Sequence, residues 1–213
     1  MKKASILLAD DHKMIVEGLS NLLEPEFELA GIVDNGRELI DSIHNIHPDV
    51  IVADISMPFL NGIDAARQIN KDYPNIKIIF LTMHSDVAYA AEAFEAGASG
   101  YVLKHSATSE LINAIHEVLK GRNYITPMIA KDLLLTYKKG THNRNDTLSR
   151  LSHRQREVLQ LLAEGRSAKE IASILNISTR TVEFHKYRMM NVLGIKSSAE
   201  LIQIAIKHGI VLV

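Results

Sequence analysis

An α/β doubly wound five-stranded parallel sheet followed by a small all-α domain is the fold class that three features of the sequence predict. Through residue 118, short β-branched runs alternate strictly with amphipathic stretches long enough for helices. From Leu148 onward the apolar residues recur only at helical spacing. The charge also changes sign along the chain. Residues 1–118 hold eight Lys and Arg against eighteen Asp and Glu, whereas residues 148–213 hold ten against five. Residues 119–147, with six against two, join the acidic part to the basic one. We therefore divide the chain into 1–120, a connector over 121–147, and 148–213, and expect either that the acidic part collects cations or basic partners while the basic part meets an anionic polymer or surface, or that two unrelated domains merely differ in charge.

The strands are predicted at Ser5–Ala9, Leu29–Val33, Val50–Ala53, Ile76–Leu81 and Ser99–Leu103, with helices near 13–23, 35–46, 62–72, 86–96 and 107–120. Pro25, Pro48, Pro58 and Pro74, with Gly31, Gly36 and Gly62, punctuate the joins. Such alternation means parallel strands with helices on both faces, and it puts a ligand site at the carboxyl ends of the strands. A short helix is expected over 127–137, opened by Pro127. The polar stretch Lys138 to Asp146 reads as a linker. Four helices follow at 152–163, 167–174, 178–192 and 198–208, parted by Gly165, by Asn176-Ile177-Ser178 and by Gly194.

A composition of 46% hydrophobic and 23% charged residues is that of a folded globular chain. With no Cys, disulfides, Cys-based zinc sites and thiol catalysis are excluded. The apolar run Ile6 to Ala9 is stopped by Asp10 and is too short for a signal peptide, and no stretch has the ~18–20 apolar residues of a membrane span. We expect a cytoplasmic protein with no membrane partner. The ten His lack metal-ligand spacing, which argues against a dedicated transition-metal site.

The chemistry gathers at the strand ends. Asp10 and Asp11 follow the first strand, Asp54 the third, Thr82 the fourth and Lys104 the fifth. Two carboxylates ~4 Å apart repel by roughly 4 kcal/mol at an effective dielectric of 20, so the cluster calls for a cation. An all-oxygen site with room for water suits Mg²⁺, beside which one carboxylate can act as nucleophile towards phosphorus. Taken singly, each Asp has a plainer role as a helix cap, Thr82 as a strand end and Lys104 as a surface cation. All five on one rim are harder to assign that way.

Residues 1–120 resemble a response-regulator receiver domain of bacterial two-component systems. The resemblance lies in Asp10-Asp11, Val50 to Asp54, Met57-Pro58 followed by Asn61-Gly62, Leu81-Thr82 and Tyr101 to Lys104. It implies that Asp54 accepts a phosphoryl group from a sensor histidine kinase. It also implies that Asp11, Asp54 and the backbone carbonyl of Ser56 hold Mg²⁺, with Asp10 helping through water. Lys104 would pair with the phosphoryl oxygens, Thr82 would move to hydrogen-bond one of them, and Tyr101 matches the aromatic whose rotamer reports that movement. Met83 and His84 are bulkier than the small residue many receivers carry beside the Thr. We expect their side chains to screen the acyl phosphate from water, His84 being otherwise a surface side chain.

Farther on, Lys169-Glu170-Ile171-Ala172 with Leu175, then Ile177 to Val182, reads as a helix, a tight turn and a second helix opened by Ser178 or Thr179. This is helix-turn-helix spacing. Val182, His185, Met189 and Val192 recur at three and four and mark the inward face. Glu183, Phe184, Lys186, Tyr187 and Met190 are left outward, a mixture suited to the major groove. The segment resembles the LuxR/FixJ-type, NarL-like helix-turn-helix domain in Leu151-Ser152, Arg154, Glu157 to Leu159, Gly165, Glu170 to Ala172, Leu175, Ile177-Ser178, Thr181-Val182, His185, Leu193-Gly194 and Ala199 to Leu201. Carried over by position, Glu183, Phe184 and Tyr187 face base edges, and Thr179, Arg180, Lys186 and Lys196 face phosphates. His185 is a core residue. Asn191-Val192 stands where the family often has a cation, so one phosphate contact is in doubt.

The two resemblances imply a phosphorylation-controlled transcriptional regulator, not an enzyme. Its partners would be a sensor histidine kinase, operator DNA, a second copy of the chain when phosphorylated, and RNA polymerase. Release of an interdomain contact and formation of a receiver dimer are both open as routes of activation. Two other readings stand beside this one. A phosphatase of the haloacid-dehalogenase kind would also use Asp54 as nucleophile, but it needs an acid where Ser56 stands. A phosphorylated module that binds protein in place of DNA would share the first half of the chemistry.

Overall fold

The computed structural model describes residues 3–138 and 147–211, so the expected linker of Lys138 to Asp146 lies, from residue 139 on, outside the described residues. These form two compact units, one built around a sheet and one of helices.

The first unit runs β1 (Ser5–Ala9), α1 (Lys13–Leu23), β2 (Glu28–Val33), α2 (Gly36–Ile46), β3 (Val50–Ala53), α3 (Gly62–Asp72), β4 (Lys77–Thr82), α4 (Val87–Glu95), β5 (Gly100–Leu103), α5 (Ala107–Leu119), β6 (Tyr124–Ile125) and α6 (Pro127–Lys138). All strand pairs are parallel, in the order β2-β1-β3-β4-β5-β6. The chain winds outward from β1 to β2 and then returns to β3 on the other side. That reversal opens a crevice at the carboxyl ends of β1 and β3.

Parallel strands covered on both faces must be apolar at consecutive positions, and every residue of β3 and β5 is buried. On one face Ile6, Leu8, Val50, Val52, Ile79, Leu81 and Val102 pack with Leu19 and Leu23 of α1 and Leu111, Ile115 and Val118 of α5. Each such side chain contributes about 1.5–3 kcal/mol by leaving water.

The sheet has a sixth strand where five were expected. Tyr124 donates its N–H to Ser99 O at 3.0 Å and Thr126 to Tyr101 O at 2.9 Å, which sets Tyr124–Ile125 against β5. Two residues are too few to display a period of two, so composition alone does not mark them. Several expected helices began one residue early, and the extra residue is the cap. Asn35 accepts from the N–H groups of Arg37 and Glu38, Asp86 from Ala88, and Ser152, Ser167 and Ser178 from the N–H three residues on.

The second unit holds α7 (His153–Ala163), α8 (Ala168–Leu175), α9 (Thr179–Leu193) and α10 (Ser198–Lys207), after a short 3₁₀ turn at Thr147–Arg150. Val158, Leu159, Leu161, Ile171, Leu175, Val182, Met189, Leu201 and Ala205 form its core. The turn from α8 to α9 is made by Asn176 at φ 52°, with Ile177 N–H donating to Ala172 O at 3.0 Å. Asn tolerates this left-handed conformation better than most residues. A reciprocal capping box of Ser167 and Glu170 opens α8.

Candidate functional site

Asp10, Asp54 and Lys104 meet at the carboxyl ends of β1, β3 and β5. Asp54 N–H donates to Ala9 O at 2.8 Å and Asp10 N–H to Val33 O at 3.1 Å, so the sheet ladder itself fixes where both carboxylates start. Lys104 Nζ stands 2.8 Å from Asp10 Oδ2 and 2.9 Å from Asp54 Oδ2. The contact to Asp54 is a hydrogen bond. The one to Asp10 is a close ion pair that also holds the Lys104 charge. Asp54 Oδ1 accepts from Ile55 N–H at 2.7 Å. Burial opposes the Lys104 charge, but Asp54 and Asp10 together outweigh it and raise its pKa.

The segment after β3 is pulled close. Gly62 N–H donates to Ile55 O at 2.8 Å, and a Cβ at Gly62 would lie 2.1 Å from the Asp54 carbonyl oxygen, so only glycine permits this approach. Asn61 caps α3 by accepting from Asp64 N–H.

Asp11 and His12 complete the rim. Asp10, Asp11, His12 and Asp54 can each offer a donor atom within 4.8 Å of the others. Three carboxylates against the single Lys104 ammonium leave negative charge in excess. This donor set fits a divalent cation.

Thr82 is fully buried, and its Oγ1 accepts from His84 N–H at 3.3 Å. Tyr101 is also fully buried, its hydroxyl donating to His84 O at 2.8 Å. Burial, with help from Tyr89, Asp86 and Asp54, raises the phenol pKa far above its ordinary value. The two bulky residues beside Thr82 differ in their surroundings. Met83 is 68% exposed, whereas His84 shares a hydrogen bond with Ser56 Oγ at 2.9 Å and stacks on Tyr89. Met83, three places before the α4 cap Asp86, is left largely to solvent, while the imidazole finds both a polar and a flat partner. Burial lowers the His84 pKa against the opposing pull of Asp54 and Asp86.

On α9, Glu183, Phe184 and Tyr187 are exposed, as are Thr179 and Arg180 in the first turn and Lys196 beyond the helix. Lys186 is half-buried and ion-paired with Glu183 at 2.7 Å. Val182 and Met189 are buried, and His185 is half-buried, its pKa lowered by burial and by Arg154 against Glu157. Arg188, which the sequence reading did not select, lies with its guanidinium 5.6 Å from the Phe184 ring centre. Its spacing of four from Phe184 was the available signal.

Two family models match the chain, the response regulator receiver domain over residues 6–116 and the luxR family of bacterial regulatory proteins over residues 149–205. The chain belongs to the LuxR-family response regulators. This response regulator is 35% identical over 209 residues to the oxygen regulatory protein NreC of Staphylococcus carnosus, covering 95% of this chain and 96% of that one. It is 32% identical to the response regulator UvrY of Escherichia coli, covering 97% and 95%. Among solved structures, RcsB of Salmonella enterica serovar Typhimurium bound to promoter DNA with the phosphomimetic BeF₃⁻ is similar at 29% identity and a TM-score of 0.60, covering 95% of this chain and 98% of that one. Two RcsB dimers bound to two parallel DNAs are similar at 27% identity and a TM-score of 0.59, covering the same shares.

The response regulator thus brings Asp10, Asp11, Asp54, Thr82 and Lys104 to one rim, with Ser56 linked to it through His84. His12 is the pocket residue that sequence reasoning missed. The spacing of His12, directly after the acidic pair, was a signal passed over. No helix among the described residues is long and apolar enough to cross a membrane.

Proposed function

We propose that this response regulator takes a phosphoryl group onto Asp54 from a phosphohistidine of a sensor kinase and, so modified, binds operator DNA through α9 as a homodimer. In this reading residues 1–120 are the receiver, 121–147 the connector and 148–213 the reader. A carboxylate oxygen of Asp54 attacks phosphorus, the P–N bond to the donor imidazole breaks, and an acyl phosphate results. Asp11, Asp54 and the Ser56 carbonyl would hold Mg²⁺, with Asp10 acting through water. When bound, the ion supplies charge neutralisation for the phosphoryl oxygens. The observation that carries the reading is Lys104 held between Asp10 and Asp54 on a rim with excess negative charge.

The chain's own residues supply the switch. The phosphoryl group adds about −1.5 to −2 charges and strong acceptors. Lys104 then exchanges its carboxylate partners for phosphoryl oxygens. Thr82 gives up the His84 N–H to donate its hydroxyl to the phosphoryl group, which frees the backbone that Tyr101 also grips. His84, bonded to Ser56 two residues after Asp54, is the shield against water in this reading, in preference to the exposed Met83.

For the output, Glu183, Phe184 and Tyr187 reach base edges, and Thr179, Arg180 and Lys196 reach phosphates. Lys186 joins them by leaving Glu183. The DNA-bound RcsB dimers support a dimeric reader. RNA polymerase is the downstream partner, and no small-molecule turnover is expected. The test is to supply a small acyl phosphate and Mg²⁺, then measure label, mass in solution and operator affinity together. Wild type should take up one label per chain, double in mass and bind more tightly, and Asp54→Asn should do none of these. Label persisting in Asp54→Asn would end the proposal.

A further inference from the structure

Thr126, the residue between β6 and α6, is buried and engages every hydrogen-bonding group it has. Its N–H donates to Tyr101 O at 2.9 Å, and its carbonyl accepts from Ile129 N–H at 2.9 Å and Ala130 N–H at 3.2 Å. Pro127 has no N–H to offer, so these two bonds start α6. The hydroxyl accepts from Leu103 N–H at 3.2 Å and donates to Glu110 Oε2 on α5 at 2.7 Å.

A Thr just before a helix ordinarily turns its hydroxyl to the helix as a cap. Here it turns to the sheet. The last pair in the β5–β6 register is Tyr101 with Ile125, and the Thr126 carbonyl already belongs to α6, so the hydroxyl takes the Leu103 N–H that the ladder leaves over. Leu103 is fully buried, where an N–H without a partner is costly. Thr126 thus grips β5 at two places that matter to the strand-end rim. One is Tyr101, whose phenol holds His84 O, and the other is Leu103, directly before Lys104. Beyond this grip, α6 lies beside α4.

We propose that Thr126 is the joint that passes the phosphoryl state of Asp54 to α6, the element through which the chain leaves the first unit, and that its hydroxyl makes the connection. The inference rests on the reading of Asp54 as phosphoryl acceptor, with Lys104 and Tyr101 answering the arrival of the group. A shift of β5 at Leu103 carries the hydroxyl with it, and the carbonyl of the same residue sets the first turn of α6. Glu110 holds the hydroxyl from its other side, so side-chain rotation does not absorb the shift. Thr126→Val keeps the shape and removes both hydroxyl bonds while leaving the backbone ones.

The test uses the full chain, acetyl phosphate with Mg²⁺, and a duplex selected for binding to the phosphorylated wild type. Wild type should bind that duplex more tightly when labelled. Thr126→Val should take up the same label while the ratio of labelled to unlabelled affinity falls about fivefold or more. Thr126→Ser, which keeps the hydroxyl, should restore the wild-type ratio. Glu110→Gln weakens the same bond from its far end without placing an apolar group beside Leu103, and should move the ratio in the same direction. Hydrogen exchange reads the joint directly, since labelling should alter exchange at Ile129 and Ala130 in wild type and not in Thr126→Val. An unchanged ratio in Thr126→Val and Glu110→Gln would place the connection elsewhere, in the packing of α6 beside α4 for example, and overturn the inference. Loss of label in Thr126→Val, or Thr126→Ser behaving as Thr126→Val, would make Thr126 a support of the rim or the core and overturn it equally. Wild type that takes up no label, or binds no differently with it, would overturn the underlying reading of Asp54 itself.

Discussion

At the strand ends, Asp10, Asp54 and Lys104 are each about one-twentieth exposed, and Lys104 stands 2.8 Å from Asp10 and 2.9 Å from Asp54. On the outer face of α9, Phe184 and Tyr187 are more than half exposed, and the Glu183–Lys186 pair stands at the solvent edge. The first set acts by being desolvated, the second by being available. Charges withdrawn from water interact strongly and tolerate no missing member, while exposed ones are screened and gain their energy only when a polyanion arrives.

The largest expected effect breaks the first set. Lys104→Met leaves two buried carboxylates facing each other without a cation and should cost on the order of 3–5 kcal/mol. Added Mg²⁺ should restore part of that loss, because a divalent ion substitutes for the missing charge. Lys186→Met on α9 removes a cation of the same type and should cost less than about 0.5 kcal/mol. Urea unfolding of both variants, with and without Mg²⁺, makes the comparison. Similar losses in the two would erase the contrast drawn above.

Operator binding reverses the ranking. Tyr187→Ala should leave phosphoryl uptake and unfolding unchanged, yet lower affinity for a selected operator by about 1–3 kcal/mol. Arg180→Ala and Lys196→Ala should instead weaken binding to all duplexes alike, each reducing the slope of log affinity against log salt by about 0.9. A titration over several salt concentrations separates the two behaviours. A smaller effect is expected at the switch. Tyr101→Phe removes the 2.8 Å bond to His84 O and should cost about 1 kcal/mol of receiver stability while leaving the core volume unchanged.

The same contrast explains what was legible in the sequence. Asp10, Asp54 and Lys104 follow strands whose apolar runs are unmistakable, and in a parallel sheet the end of a strand is a place, so naming the strand located the side chain. Val182 and Met189 were legible in the same way, because helical spacing states which face is packed. Position in the chain says less where a side chain has several partners within reach. His84 reads either as a screen beside Met83 or as a surface side chain, and the sequence does not show that Ser56, 28 residues away, and Tyr89 on α4 capture it. His12 belongs to the pocket because it directly follows the acidic pair, a placement that spacing among the histidines alone does not display. The strand Tyr124–Ile125 was hidden because its only signal is the partner it meets.

The smallest effect concerns His185, which spacing placed on the packed face of α9 and which the structure leaves half-buried. Burial and the nearby Arg154 lower its pKa, against Glu157, relative to the unfolded chain. The unfolded form therefore binds its proton at a higher pH than the folded form does. Its contribution to stability is fully present above about pH 6.5 and is lost as the pH falls through the lower folded value. His84 in the receiver shifts in the same direction, so whole-chain unfolding would mix the two. Hydrogen exchange separates them, since amides of α9 and of β4 report their own units. Exchange in α9 should quicken on acidification below about pH 6.5 relative to the intrinsic rate, and His185→Gln should flatten that dependence while β4 keeps its own. A profile for α9 that stays steep in the variant would place the acid sensitivity in another group and leave His185 as a packing residue alone.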